Sequence, residues 1–390
     1  MQSSDINIAF ESFVFRLKRN QIPSSFQVAL ETALLLRQMV STIRWSHTNQ
    51  LIIQIQKWGS KLVEAQPREF VSGNIIRRVL FLIREELNNL SNDSQKKQSC
   101  SSHTTYPNIE KNLEKITSRP IYSSMLNFLC KPEDYEPNNS KKQEAYSGSD
   151  LRPIFIQGIQ DIIDELEKTH IDISVQALDY IHSNEIIMTH GASKTIEVFL
   201  RAAAKKRKFT VILTESFPNN HSSSHESIIS LANAGIDAVL IPDAAVFALM
   251  SRVNKVILGA HTVFANGGVL ISAGAKNLAA AAKHHTIPVI ICTGIYKLSP
   301  LYPHDPDSLI ILSSPNNVMP FEQGNFSKYL NQQLTKYSTD IVDTIDIINT
   351  CNDYIPPSMI DLYITNLGGH PPSYLSRMIR DHYDPEDTTL

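Results

Sequence analysis

The segment Thr189-His190-Gly191-Ala192-Ser193-Lys194-Thr195 gathers an imidazole, a glycine, hydroxyls and an ammonium at the start of an apolar, helix-patterned stretch. Such a segment is a loose candidate anion cradle, with His190, Ser193, Lys194 and Thr195 as its polar groups. It is neither a Walker sequence nor a Gly-x-Gly-x-x-Gly fingerprint. The plainer reading is a tight strand-to-helix turn capped by Ser193. His190 has the right chemistry for a general base. The sequence sets no cysteine or serine nucleophile beside it, and Ser193 lacks the Gly-x-Ser-x-Gly elbow, so a hydrogen-bonded structural role is expected. Cys292 directly follows the apolar run Val289–Ile291, where an inert, packed thiol is expected. Asp243, after Pro242 and before an alanine-rich stretch, reads as a helix N-cap rather than an acid catalyst. Lys205-Lys206-Arg207-Lys208 closes a helical pattern, where cations complement the dipole. The four cysteines form no Cys-x-x-Cys pair, which suggests neither a zinc site nor a disulfide framework. No catalytic, cofactor-binding or metal-binding residue is therefore assigned.

Those segments fall between short β-rich runs and helical stretches. The runs are Ile186–Met188, Thr210–Leu213, Ala238–Ile241, Val256–Leu258 and Val289–Ile291. Between them lie helical patterns at 193–204, 225–234, 244–251 and 275–284, and Asp361–Asn366 is a candidate late strand. Alternating strands and helices predict a doubly wound parallel sheet, and near-continuous apolar runs predict helices on both of its faces. In such a sheet ligands sit beyond the carboxyl ends of the strands, which brings Thr214-Glu215-Ser216 and Ala265-Asn266-Gly267-Gly268 into consideration as well.

Residues 1–183 have a different period. Phe26, Ala29, Leu30, Ala33, Leu36, Val40 and Ile43 draw one helical stripe; Leu51, Ile52, Ile55, Trp58 and Leu62 draw a second; Ile75 to Leu90 draw a third. From about 91 to 149 the chain becomes polar and poor in large apolar residues, which predicts a mobile insertion within the helical domain. Helical pattern resumes at 154–166 and 175–181. The expectation is an α/β protein: an N-terminal helical domain, 1–183, followed by a Rossmann-like doubly wound domain, 184–390.

Bulk composition narrows the function classes. The 390 residues carry 36 basic and 39 acidic side chains, a net charge of -3, which argues against a nucleic-acid-binding surface. No apolar run approaches the ~20 residues that span a bilayer, and Met1-Gln-Ser-Ser-Asp-Ile is unlike a secretory signal. The expected location is the cytosol, with no membrane and no nucleic-acid partner.

Several segments carry a family resemblance. Asp243–Gly259 (DAAVFALMSRVNKVILG), Phe264-Ala-Asn-Gly-Gly268, Leu278–His285, Asn184–Thr189, Lys206–Phe209 and Asn366–Tyr374 resemble the alpha/beta/delta regulatory subunits of eukaryotic initiation factor 2B. Tyr296-Lys-Leu-Ser-Pro300 and Tyr383-Asp-Pro-Glu-Asp387 resemble the beta-type branch. The same fold family contains methylthioribose-1-phosphate isomerase. The resemblance implies that such sugar-phosphate isomerases need a cysteine after the first strand and an aspartate in an Asn-Gly-Asp triplet. Here Gly191 and Gly268 stand at those places, and glycine has no side chain for acid–base work. Gly191, Asn266, Gly267 and Gly268 are thus expected to form a degenerate isomerase pocket.

The resemblance further implies a non-catalytic regulatory subunit of the guanine-nucleotide exchange factor for initiation factor 2. Its partners would be the delta, alpha, gamma and epsilon subunits in a decamer, and the alpha subunit of initiation factor 2, whose phosphorylation it would help to sense. Segments between Met1 and Glu31 and the helix ending near Ile181 are the expected contacts. No cofactor is implied. Two alternatives are a sugar-phosphate aldose–ketose isomerase and a ligand-sensing remnant of one.

Overall fold

The computed structural model describes residues 2–99, 148–318 and 346–389, apart from Pro23, Arg44, Ser46 and Pro306. Most of the polar stretch at 91–149 lies outside these residues. Its first part does not: the helix that carries the third stripe runs on to Ser99, since Asn, Asp, Ser, Gln and Lys cost a helix only about a few tenths of a kcal/mol each in propensity.

The N-terminal helices are α1 (Gln2–Lys18), α2 (Ser25–Thr42), α3 (Thr48–Ala65), α4 (Phe70–Ser99), α5 (Gly148–Val175) and the single turn α6 (Ala177–Tyr180). They enclose one apolar core. Ala29, Ala33, Leu36 and Val40 from the first stripe meet Leu51, Ile55 and Leu62 from the second and Ile75, Ile76, Val79 and Leu80 from the third. Phe10 of α1 stacks on Trp58 of α3 at 4.2 Å between ring centroids.

The sheet follows. Strands β1 (Ile186–His190), β2 (Thr210–Thr214), β3 (Asp237–Ile241), β4 (Lys255–Gly259), β7 (Val289–Cys292), β9 (Leu362–Thr365) and β10 (Gly368–His370) form a seven-stranded sheet in the order β10-β9-β7-β4-β1-β2-β3. All neighbours are parallel except the β9–β10 hairpin at one edge. The helices α7 (Lys194–Ala204), α8 (His221–Asn233), α9 (Val246–Met250), α10 (Ala275–His284) and α11 (Leu375–His382) flank it. Successive residues of β1 serve opposite faces. Met188 packs with Leu258, Ile291 and α10, and Ile187 packs with Val211, Ile257 and Phe199 of α7. Ile173, Ala177 and Ile181 join the latter face, so the packing of the sheet begins before its first strand.

One element has no counterpart in the sequence pattern. Strands β5 (Thr262–Val263), β6 (Val269–Ser272) and β8 (Asn352–Ile355) build a second, antiparallel three-stranded sheet. Two of its strands come from a short hairpin and the third from about eighty residues further along. Pairing at that separation is set by tertiary packing, not by local periodicity.

Candidate functional site

The order of strands reverses between β1 and β4, whose carboxyl ends are the place where a doubly wound sheet binds ligands. The segment 189–195 lies there. Gly191 takes φ +63°, and a Cβ added to it would stand 2.9 Å from Ser216 Oγ and 3.5 Å from Ser272 Oγ. A cysteine there would face both a left-handed backbone and occupied space. Ser193 holds the N-cap position of α7, but its hydroxyl makes no capping bond. It lies over Gly259 instead, 2.6 Å from where a Cβ would be, so glycine at the end of β4 makes room for it. Thr195 is buried and its Oγ1 lies 3.3 Å from His170 Nδ1, while Lys194 is exposed. The crevice among Thr189, Gly191, Ser193 and Ile196 holds only about 10 Å³. That is at the lower limit for one water molecule, and far from room for a phosphate.

His190 is buried and fully engaged. Nε2 lies 2.8 Å from the Ala273 carbonyl and Nδ1 lies 2.6 Å from Thr214 Oγ1. A carbonyl oxygen only accepts, so Nε2 carries the ring proton and Nδ1 accepts from the threonine hydroxyl. Burial lowers the imidazole's pKa, against the pull of the Ala273 carbonyl and the Asp243 and Asp353 charges.

The structure departs from the sequence expectation at two residues here. A serine does stand beside His190: Ser216 Oγ is 3.1 Å from Nε2, on a left-handed backbone of φ +58° just beyond β2. Its position at a strand end was the available signal. The pair is not an activated nucleophile, because the facing nitrogen already bears the proton and the serine is buried. Asp243 is a second correction. It does not cap its own helix, where Pro242 holds the N-cap position; its carboxylate accepts from the backbone N–H groups of Ser216 (3.1 Å) and Phe217 (3.0 Å), fixing that left-handed turn.

The triplet Asn266-Gly267-Gly268 forms the turn between β5 and β6. Asn266 Oδ1 accepts from Gly268 N at 2.8 Å, and Asn266 Nδ2 donates to Tyr354 Oη at 2.7 Å. Gly267 takes φ +79°, and its carbonyl accepts from Tyr363 Oη at 2.7 Å. A Cβ on Gly268 would lie 2.2 Å from Tyr354 Oη and 2.6 Å from its Cε2 and Cζ. The tyrosine ring thus fills the volume where a longer side chain would begin. Gly191 lies against Ser272 and Gly268 precedes Val269, at opposite ends of β6. Four residue steps separate Gly268 from Ser272, about 13 Å.

The larger opening was not visible in the sequence. A cleft of about 480 Å³ separates the α1–α2 and α3–α4 turns from the small sheet, lined by Lys18, Arg68, Glu69, His261, Thr262 and Asn352 among others. Next to it, Lys297 Nζ donates to the Ala260 carbonyl at 2.7 Å. Burial lowers the Lys297 pKa to about 8, against the pull of Glu69. Burial likewise raises the Glu69 carboxyl, against the Ser25 hydroxyl. These groups come from separate stretches of chain, so no spacing rule connects them. Cys292 is buried on the α7 face of β7, and burial alone pushes its thiol up to about 12. Among the described residues no group of three or more His, Cys, Asp or Glu could hold a metal ion. Nor is any described helix long and apolar enough to cross a membrane.

The fold and site define a class: a Rossmann-like α/β protein behind a helical bundle, with the strand-end pocket filled by its own side chains. The chain belongs to the Initiation factor 2 subunit family, whose model matches residues 21–372, and is a translation initiation factor subunit. It is 48% identical to the translation initiation factor eIF2B subunit beta of Schizosaccharomyces pombe, over 98% of this chain and 97% of that one. Its identity to the Dictyostelium discoideum eIF2B subunit beta is 40%, over 97% and 95%. Among solved structures, eIF2B beta from Chaetomium thermophilum matches with a TM-score of 0.67 at 29% identity, covering 99% of this chain and 93% of that one.

Proposed function

We propose that the chain is a non-catalytic regulatory subunit of the guanine-nucleotide exchange factor for translation initiation factor 2. In this reading it works in the cytosol and assembles with delta, alpha, gamma and epsilon subunits. It helps to bind the alpha subunit of initiation factor 2 and to sense its phosphorylation. The high identity to eIF2B beta subunits over nearly whole lengths supports the subunit role. The absence of activity is supported by glycine at both expected catalytic places and by the Tyr354 ring over Gly268.

The observation that carries assembly is the sheet edge at β3, which pairs with no further strand among the described residues. An outer strand offers unpaired N–H and C=O groups, and here its side chains are apolar and exposed: Val239, Leu240, with Phe217, Ile229 and Phe247 on the neighbouring turn and helices. A monomer leaves such an edge covered or charged. The C. thermophilum beta subunit occurs in a tetrameric beta2-delta2 complex, and this chain matches that structure with a TM-score of 0.64 at 28% identity. A delta subunit is the partner for this edge. The helical region, with exposed Ile8 and Phe15 on α1 and Ile171 and Val175 at the end of α5, is the surface for initiation factor 2.

Affinity purification of the tagged chain at mild salt, followed by native mass measurement and an exchange assay on initiation factor 2, tests the reading. Recovery in a complex of several subunits with exchange activity is the expected result. A lone homodimer without exchange activity overturns it. The isomerase alternative requires turnover of a phosphorylated aldose by the pure chain, and none is expected.

A ligand-sensing second reading has one observation in its favour, the 480 Å³ cleft with Lys18 and Arg68 on its wall. A flat calorimetric titration with millimolar sugar phosphate disposes of it.

A further inference from the structure

Helix α4 presents two faces with different chemistry. Ile75, Ile76, Val79 and Leu80 enter the helical core, while Asn74, Arg77, Arg78 and Arg84 form a polar stripe turned away from it. Each stripe residue is claimed by a group outside α4. Asn74 Nδ2 donates to the Tyr296 carbonyl at 3.4 Å, and Arg78 is paired with Glu165 of α5 at 2.7 Å. Glu165 in turn accepts from Asn366 Nδ2, beyond β9, at 3.1 Å.

The densest contact is with the last described residues of the chain. Arg84 holds the Asp387 carboxylate with Nε at 2.9 Å and Nη2 at 3.0 Å, and its third nitrogen pairs with Glu386 at 2.5 Å. Gln56 of α3 donates to the same Asp387 carboxylate at 3.0 Å. Arg77 donates to the backbone carbonyls of Asp387 (3.2 Å) and Thr388 (3.1 Å). Asp387 itself is fully buried. Upstream, Tyr383 Oη donates to the Leu298 carbonyl at 2.6 Å, tying the base of this segment to the sheet region. The segment is therefore anchored on the sheet at Tyr383 and on α3 and α4 at Asp387.

We infer that residues 383–388 are a strap that latches α4 and α3 onto the sheet region, with the Asp387 carboxylate as its key. Apolar surfaces tolerate sliding, whereas a buried forked ion pair with two further donors has one geometry. The strap thus sets the register of the helical region on the sheet region. Its release would free α4, together with the Ser91–Ser99 extension that α4 carries, without unpairing a strand.

Hydrogen exchange by mass spectrometry on the full chain tests this, comparing wild type with Asp387→Asn and, as a second variant at a partly exposed position, Arg84→Gln. Asp381→Asn, at an exposed position just before the strap, serves as control. The expected result is exchange at least tenfold faster in peptides from 70–84 and 383–388 in both variants. Strands β1, β2 and β4 should change by less than twofold, and the control by little anywhere. Local opening of this kind is what separates a latch from a general stabiliser. Equal acceleration in the strands, or none in α4, overturns the inference.

Discussion

Substituting Gly268 asks directly whether the turn between β5 and β6 is closed by Tyr354. A Cβ at this position lies 2.2 Å from the phenol oxygen and 2.6 Å from two ring carbons, all of one rigid aromatic group. Ordinary contact begins near 3.4 Å, so the ring must retreat by about an ångström, and it has little room to do so. Tyr354 is buried, packs with Phe264 and Leu270, and accepts from Asn266 Nδ2. Gly268→Ala should therefore cost about 1–3 kcal/mol for overpacking, with about 1 kcal/mol more if the Asn266 hydrogen bond is lost. Gly268→Asp, which puts an acid where the resemblance to sugar-phosphate isomerases expects one, should cost more, because a carboxylate is then buried without a cation. The assay is urea unfolding of four proteins: wild type, Gly268→Ala, Tyr354→Ala and the double variant. If the ring is the obstacle, the alanine at 268 becomes nearly free once Tyr354 is gone, with a coupling of about 1–3 kcal/mol. Additive costs, or a Gly268→Ala midpoint equal to wild type, would refute the reasoning.

Four further outcomes are expected. Burial raises Glu165, but the charge and hydrogen bonds of Arg78, with the Asn366 amide, outweigh it and leave the carboxyl below its ordinary value. A depressed folded pKa gives stability that is present above the unfolded glutamate value, ~4.3, and lost as pH falls through the folded one; acid unfolding should be shallower in Glu165→Gln. Lys297 titrates at about 8 in the fold and ~10.4 unfolded. The unfolded chain binds more protons in that window, so stability contributed by this residue rises from pH 8 to 10, and Lys297→Met should flatten the rise in thermal melts. With its thiol pushed up to about 12, Cys292 should resist iodoacetamide at pH 8 until the chain is unfolded, as peptide mapping would report. Val239→Asp with Leu240→Asp should weaken association with a delta subunit at least tenfold while leaving the melting curve of the isolated chain nearly unchanged, since both side chains are exposed; unaltered binding would remove β3 from the interface.

Much of this architecture is written locally. The stripe Ala29, Ala33, Leu36 and Val40 and the strand runs at 186, 210, 238, 256 and 289 have periods that a helix or a buried strand alone can satisfy, so they are legible without the fold. The glycines at 191 and 268 are legible too, because a missing side chain is a property of the residue itself. What replaces those side chains is not. Tyr354 lies 86 positions beyond Gly268, Ser216 reaches His190 from another strand, and Asp243 serves a turn on a third segment rather than its own helix. The small sheet, the cleft at Lys18 and Glu69, and the strap that brings Asp387 to Arg84 across 303 positions share this character. Periodicity encodes which face of an element is buried. Which distant groups meet there is set by how the elements pack, so only the tertiary structure decided that the pocket is filled and how the two halves of the chain are fastened together.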